Sequence, residues 1–167
     1  MRDHFIVRPA RPDDVDALVA FSAAMARETE GRALELERLR RGTLAVFASP
    51  ERGFYLVAEL PGDPPGRLIG QLMVTYEWSD WRNATFWWIQ SVYVHPSWRQ
   101  RGVYRRMHEF ILQQARSRSD VCGVRLYVEQ NNALAKTTYD HVGLTRSAYV
   151  VFEDDFVLSK KEFHGKQ

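Results

Sequence analysis

Arg99, Arg101, Arg105 and Arg106 fall within eight positions that contain no acidic residue, and Gly102 lies among them. The segment from Val92 through Tyr93, Val94, His95, Pro96, Ser97, Trp98, Arg99, Gln100, Arg101, Gly102 and Val103 to Tyr104 reads as a strand stopped at His95-Pro96, a turn, and a helix start. A helix that begins after such a turn aims several backbone N–H groups and the positive end of its dipole at one spot. Gly102 lets the backbone approach an anion with no side chain between them, and the arginines add charge-assisted hydrogen bonds. This is phosphate-binding chemistry. The alternative at this stage is an ordinary strand-to-helix turn with a solvated basic face.

Other reactive side chains weigh less. Cys122 is the one cysteine, so it forms neither an internal disulfide nor a multi-cysteine metal site. It stands before an apolar strand with no base beside it and reads as packed. His95 ends a strand before a proline and reads as a solvated turn histidine, with a role as base as the outside alternative. All five tryptophans, Trp78, Trp81, Trp87, Trp88 and Trp98, lie within one stretch of 21 residues. Trp87 and Trp88 must face opposite sides of a strand, so one belongs to the core and the other is available to a pocket.

The elements that position these residues follow from patterning. Phe5 to Arg8 reads as a strand stopped by Pro9, and Pro12 with Asp13 and Asp14 starts a helix that Gly31 ends. Val15, Leu18, Val19, Ser22 and Met25 form its buried face. Leu36, Leu39, Thr43 and Val46 mark a second helix, closed by Ser49-Pro50. The runs 54–60, 68–76 and 85–94 form a meander, broken by the Pro61–Gly66 loop and by Asp80 to Asn83. Val103, Met107, Phe110, Ile111 and Gln114 give a third helix, and Val124 to Val128 a parallel strand reached by a crossover. Asn131 or Asn132 caps a fourth helix that Gly143 ends, and Tyr149 to Phe152 reads as a further strand.

Length and composition set the outer bounds. The chain has 167 residues, 45% hydrophobic and 26% charged, which suits one domain over 1–167 with a single core. Ten glycines and seven prolines exclude collagen-like and low-complexity readings. A net charge of +2 is too small to make nucleic acid the default partner. No stretch reaches the roughly 18 to 20 apolar residues that span a bilayer, and residues 1–9 lack the apolar centre of a signal peptide, so a cytoplasmic protein without membrane partners is expected.

At the residues above, the chain resembles the GNAT superfamily of acetyl-CoA-dependent N-acetyltransferases. In that family the fourth strand runs into a motif of Arg or Gln, two variable residues, Gly, one variable residue, and Gly or Ala, whose amides cradle the CoA pyrophosphate. Arg99, Gln100, Arg101, Gly102 and Val103 match it, and Arg105 extends the helix start. Tyr104 stands where a small residue is usual, and its side chain must either crowd the pyrophosphate or turn aside. A second segment resembles the family as well: Asn132, Ala135, Tyr139, then Gly143-Leu144 where Gly-Phe is usual. Ala135 and Tyr139 share one helical face. Without the resemblance, Tyr139 reads as a core aromatic. The resemblance extends from Phe5 to Phe152.

The resemblance implies an α/β fold with a mixed sheet of six to seven strands, about four helices on its faces, and fourth and fifth strands splayed at a bulge. It implies direct transfer of an acetyl group from acetyl-CoA to an amine, with no metal. Backbone groups of Val92, Tyr93 and Val94 would hold the pantetheine arm and the thioester carbonyl. Asn132 would contact the CoA arm, and Tyr139 would protonate the leaving thiolate. Some members carry a glutamate on the fourth strand where this chain has Gln90 and Ser91. Glu77, with Glu28 or Glu30, is then the candidate base, with solvated surface acids as the alternative reading, and Trp78 and Trp81 are candidates to hold the acceptor. The expected acceptor is a small-molecule or peptide amine. The family's habit of dimerising leaves a homodimer open. Two other classes compete: a catalytically weak member acting as an acyl-CoA sensor or interaction module, and a nucleic-acid-binding module using the arginine cluster.

Overall fold

The structure is a computed structural model that describes residues 4–62 and 66–158. Part of the Pro61–Gly66 loop and the two chain ends lie outside the described residues. Ile6–Pro9 (β1) leads through a short 3-10 turn at Pro12–Asp14 into Val15–Glu30 (α1), and Leu36–Ala48 (α2) follows. Gly31 ends α1 in a left-handed conformation at φ 59°, a geometry that favours glycine. Phe54–Glu59 (β2), Leu68–Ser79 (β3) and Ala84–Val94 (β4) form the meander. Val103–Arg116 (α3), Val121–Leu126 (β5) and Ala133–His141 (α4) complete the described elements.

The sheet order is β1-β2-β3-β4-β5, antiparallel throughout except that β5 joins β4 in parallel. Two apolar layers hold it. On one face Val103, Met107, Ile111 and Ala115 of α3 pack with Leu56, Leu72, Val74, Trp87 and Ile89. On the other, Leu18 of α1 and Val46 of α2 pack with Tyr55, Val57 and Leu68. The Arg8 guanidinium ties β1 to the start of α1, donating to Asp14 at 2.8 and 3.0 Å.

Three expectations need correction. The sheet has five strands among the described residues, not six or seven. The run Tyr149 to Phe152 is not a strand: its four side chains are largely exposed and its backbone joins no ladder. Within the run, the Tyr149 amide donates instead to Ser147 Oγ. β5 also lies earlier than its apolar run suggested, at 121–126 rather than 124–128, because pairing with Thr85 to Ile89 of β4 sets its bounds.

Candidate functional site

The β4–β5 ladder ends at the pair Ile89–Leu126, while β4 runs on through Gln90 to Val94. Along this stretch β4 has no partner on its β5 side among the described residues. On the β3 side the register shifts: Gln71 faces Tyr93 and Met73 faces Gln90, so Ser91 and Val92 together oppose Leu72. This is a β-bulge, and Ser91 sits in it at φ 51°, a left-handed conformation for a non-glycine residue. Val92 and Val94 turn their side chains to the α3 core. Tyr93 turns the other way, its ring 5.1 Å from Phe21 of α1 and its hydroxyl donating to Glu28 at 3.2 Å. The side chains are thus committed to the two packing faces, and the strand's free groups are its peptides.

The turn after β4 lies beside this stretch. His95 Nδ1 accepts from the Ser97 amide, and a 3-10 turn at Pro96–Trp98 follows. Gln100 and Gly102 are both left-handed, at φ 62° and 77°. Gly102 caps α3 without any side-chain hydrogen bond, and no atom lies within 4 Å of where a Cβ on it would stand. The first intrahelical bond runs from the Arg106 amide to the Gly102 carbonyl at 3.0 Å. The amides of Val103, Tyr104 and Arg105 therefore face the open side of the turn with no helical acceptor.

The arginines are mostly occupied elsewhere. Arg99 pairs with Glu28 at 2.6 Å and donates to the Val94 carbonyl at 3.0 Å. Arg101 stacks over Trp98, Arg106 over Phe5, and Arg105 pairs with Glu109. Anion binding at this turn would rest first on main-chain N–H groups.

Tyr104 turns inward. It is buried, its ring meets Tyr139 edge-on at 5.4 Å, and its hydroxyl lies 3.2 Å from His108 Nδ1. Burial, with the neighbouring Tyr139, pushes the Tyr104 phenol far up, and burial likewise raises Tyr139 and lowers His108. All three are thus neutral near pH 7. Asn132 caps α4, its Oδ1 accepting from the Ala135 amide at 3.0 Å, which fixes the helix that carries Tyr139.

The acids fall in two places. Glu28 lies at the C-terminal end of α1 with one oxygen on the Tyr93 hydroxyl and the other on Arg99. Glu30 pairs with Arg32 at 3.5 Å. Glu77 is cross-strand from Phe86, near the far end of β4, with its oxygens accepting from Trp88 Nε1 at 2.8 Å and Arg125 at 2.6 Å. Phe86 and Tyr93 are seven positions apart on β4, roughly 23 Å of extended chain, so Glu77 and Glu28 do not share one acidic mouth. Trp78 and Trp81 are exposed and line a cavity of about 310 Å³ with Arg82, Arg125 and Tyr149 beside Glu77. Gln90 donates to Thr75 Oγ1.

Several participants escaped the sequence reading. Arg125 stacks over Phe86 at 3.6 Å, and Trp88 lies 4.5 Å from Tyr127, flooring the same face as Glu77 and Gln90. His108 had a signal, standing one helical turn after Tyr104; Gln71 had one too, a polar residue in an otherwise apolar buried strand. Cys122 is half-buried. No group of residues suited to a metal ion occurs among the described residues, and no described helix is long and apolar enough to cross a membrane.

Residues 17–144 match the model of the acetyltransferase (GNAT) family. No curated protein matches significantly. Among solved structures, a possible acetyltransferase from Clostridium difficile 630 is 35% identical with a TM-score of 0.82, over 92% of this chain and 99% of that one. A predicted acetyltransferase with acetyl-CoA from Clostridium acetobutylicum is 16% identical, with a TM-score of 0.73 over 90% and 96%. Glucosamine-6-phosphate N-acetyltransferase from Arabidopsis thaliana is 18% identical, with a TM-score of 0.68 over 92% and 99%. The last two likenesses are of fold.

Proposed function

The chain belongs to the GNAT acetyltransferase family, and from that membership we propose that it moves the acetyl group of acetyl-CoA directly onto an amine. The observation that carries this reading is a coincidence of position: β4 parts from β5 beyond Ile89 and Leu126, just before a glycine-started helix with three unbonded amides. The clear space in front of Gly102 fits a pyrophosphate held by the amides of Val103, Tyr104 and Arg105. The inward turn of Tyr104 removes the obstacle that its bulk posed.

Acetyl-CoA supplies an activated thioester. The peptide groups of Val92 and Val94, which alternate away from β3 while those of Tyr93 face it, would align the pantetheine arm as a strand aligns its neighbour, and an N–H among them would meet charge building on the carbonyl oxygen. Asn132 and Ala135 hold the start of α4, and Tyr139 would protonate the departing sulfur. A phenol whose pKa is raised by burial keeps its proton at neutral pH, as a donor must. The amine would lose its proton through water, with Glu28 as the carboxylate nearest the opened part of β4 and Glu77, beside Trp78, serving the acceptor's far end. The acceptor is a small-molecule or peptide amine.

Purified protein, titrated calorimetrically with acetyl-CoA and then assayed for free thiol against a panel of amines and peptides, tests the reading. Binding followed by amine-dependent thiol release is expected; absence of binding overturns it. A second reading, an acyl-CoA sensor without turnover, draws on one observation: both oxygens of Glu28 and both of Glu77 are already engaged. Binding without release for every acceptor would favour that reading.

A further inference from the structure

Gln71 is a polar residue where the fold calls for an apolar one. It lies in β3 between Gly70 and Leu72, is fully buried, and faces α1 from the middle of the sheet. Its Nε2 donates to Ser22 Oγ of α1 at 2.9 Å and to the Ser91 carbonyl at 3.2 Å. Its Oε1 has no partner among the described residues. Burying an amide with one oxygen unpaired opposes folding, and a leucine would fill the same space without that penalty. The compensating interaction is the bond to Ser91.

Ser91 is the left-handed residue of the β4 bulge. A left-handed serine is strained, and a bulge takes its residue's peptide out of the regular ladder, so a carbonyl turned into a buried interface needs a donor from elsewhere. Gln71 is that donor, and Ser22 anchors its amide. From this geometry we infer that Gln71, braced by Ser22, is the positioning residue that holds the Ser91 bulge, and so keeps the 90–94 stretch of β4 shaped to receive acetyl-CoA. The inference rests on the acetyl-CoA reading for its ligand but not for its structural content. Gln71 would touch no substrate; it acts through the backbone of Ser91.

The test uses the full chain carrying Gln71→Leu, Gln71→Asn or Ser22→Ala. Asparagine keeps the polarity but lacks the reach, so it serves if the leucine variant fails to fold. Two readouts are taken: calorimetric acetyl-CoA affinity, and deuterium exchange of the Val92 to Val94 amides without ligand. Either Gln71 variant should weaken binding about fivefold or more, the worth of one hydrogen bond, and speed exchange in that segment. Ser22→Ala should do the same to a smaller degree. Exchange of the α3 amides, which lie on the opposite face of the sheet from Gln71, should stay as in wild type. Unchanged affinity and exchange in a folded Gln71 variant, or exchange that quickens equally across α3, would overturn the inference. Failure of the wild-type chain to bind acetyl-CoA would remove the proposed ligand only, and the exchange pattern would still decide the role of Gln71.

Discussion

The Tyr104 hydroxyl and His108 Nδ1 lie 3.2 Å apart, one helical turn from each other on α3, with the ring of Tyr104 edge-on to Tyr139. A bulky residue at the start of α3 thereby becomes part of the core instead of part of the turn. Its ring supports the proposed proton donor, and its polar tip meets the His108 imidazole.

Tyr104→Ala would restore the small residue of the family motif and remove that support. Loss of a buried aromatic ring costs about 3–5 kcal/mol, so a large fall in the urea midpoint is expected. Tyr104→Phe keeps the ring and should cost about 1–3 kcal/mol, the penalty of leaving His108 unpaired. Equal stability of the alanine variant and wild type would show that the ring carries no load.

His108 makes stability depend on pH. Burial holds its pKa below the ordinary value, while in the unfolded chain it titrates near ~6.5. Between those values the unfolded state binds the extra proton, so the stabilisation is whole above the unfolded value and falls as pH drops through it. The urea midpoint of wild type should decline from pH 7 to pH 5, and that slope should flatten in His108→Gln. An identical slope in the variant would assign the decline to other groups.

Gly102→Ala places a methyl group in open space but in a left-handed backbone. The expected cost is about 1 kcal/mol of stability, together with weaker acetyl-CoA binding, because the methyl group enters the space proposed for the pyrophosphate. Gly102→Pro cannot adopt φ 77° and should abolish binding by reshaping the turn. Calorimetry on folded variants checks both, and full affinity in the proline variant would move the anion site elsewhere.

Tyr139→Phe removes only a hydroxyl. Acetyl-CoA affinity should persist while kcat drops by about 10² or more, the usual worth of a general acid. Wild-type turnover at saturating substrate would assign thiolate protonation to water.

What the sequence disclosed was governed by short-range chemistry. Pro12 and Gly31 bracket α1's region, and Gly102 marks the turn, because the backbone conformations of these residues are local properties. The fate of Tyr149 to Phe152 was not legible, since a β-rich run becomes a strand only if a ladder accepts it, and none of the described strands does. Glu77 looked like a free acid beside Trp78; its partner Arg125 lies 48 positions away and only the parallel pairing of β4 with β5 brings it close. Ser22 could be placed on the buried face of α1, but its bond to Gln71, 49 positions away, depends on how α1 packs on β3 and was not legible.

A recognition surface made of peptide groups has a peculiar robustness. Exchange of side chains at positions 92 to 94 or 103 to 105 leaves every N–H in place, so long as the bulge and the turn keep their shape. Such a surface is vulnerable at Ser91, Gln100 and Gly102, whose unusual torsions direct the chain, and tolerant almost everywhere else. For the acetyl-CoA surface proposed above, that tolerance would admit a tyrosine at position 104 and would leave the indoles, acids and arginines around Glu77 free to diversify toward new acceptors without disturbing the donor side.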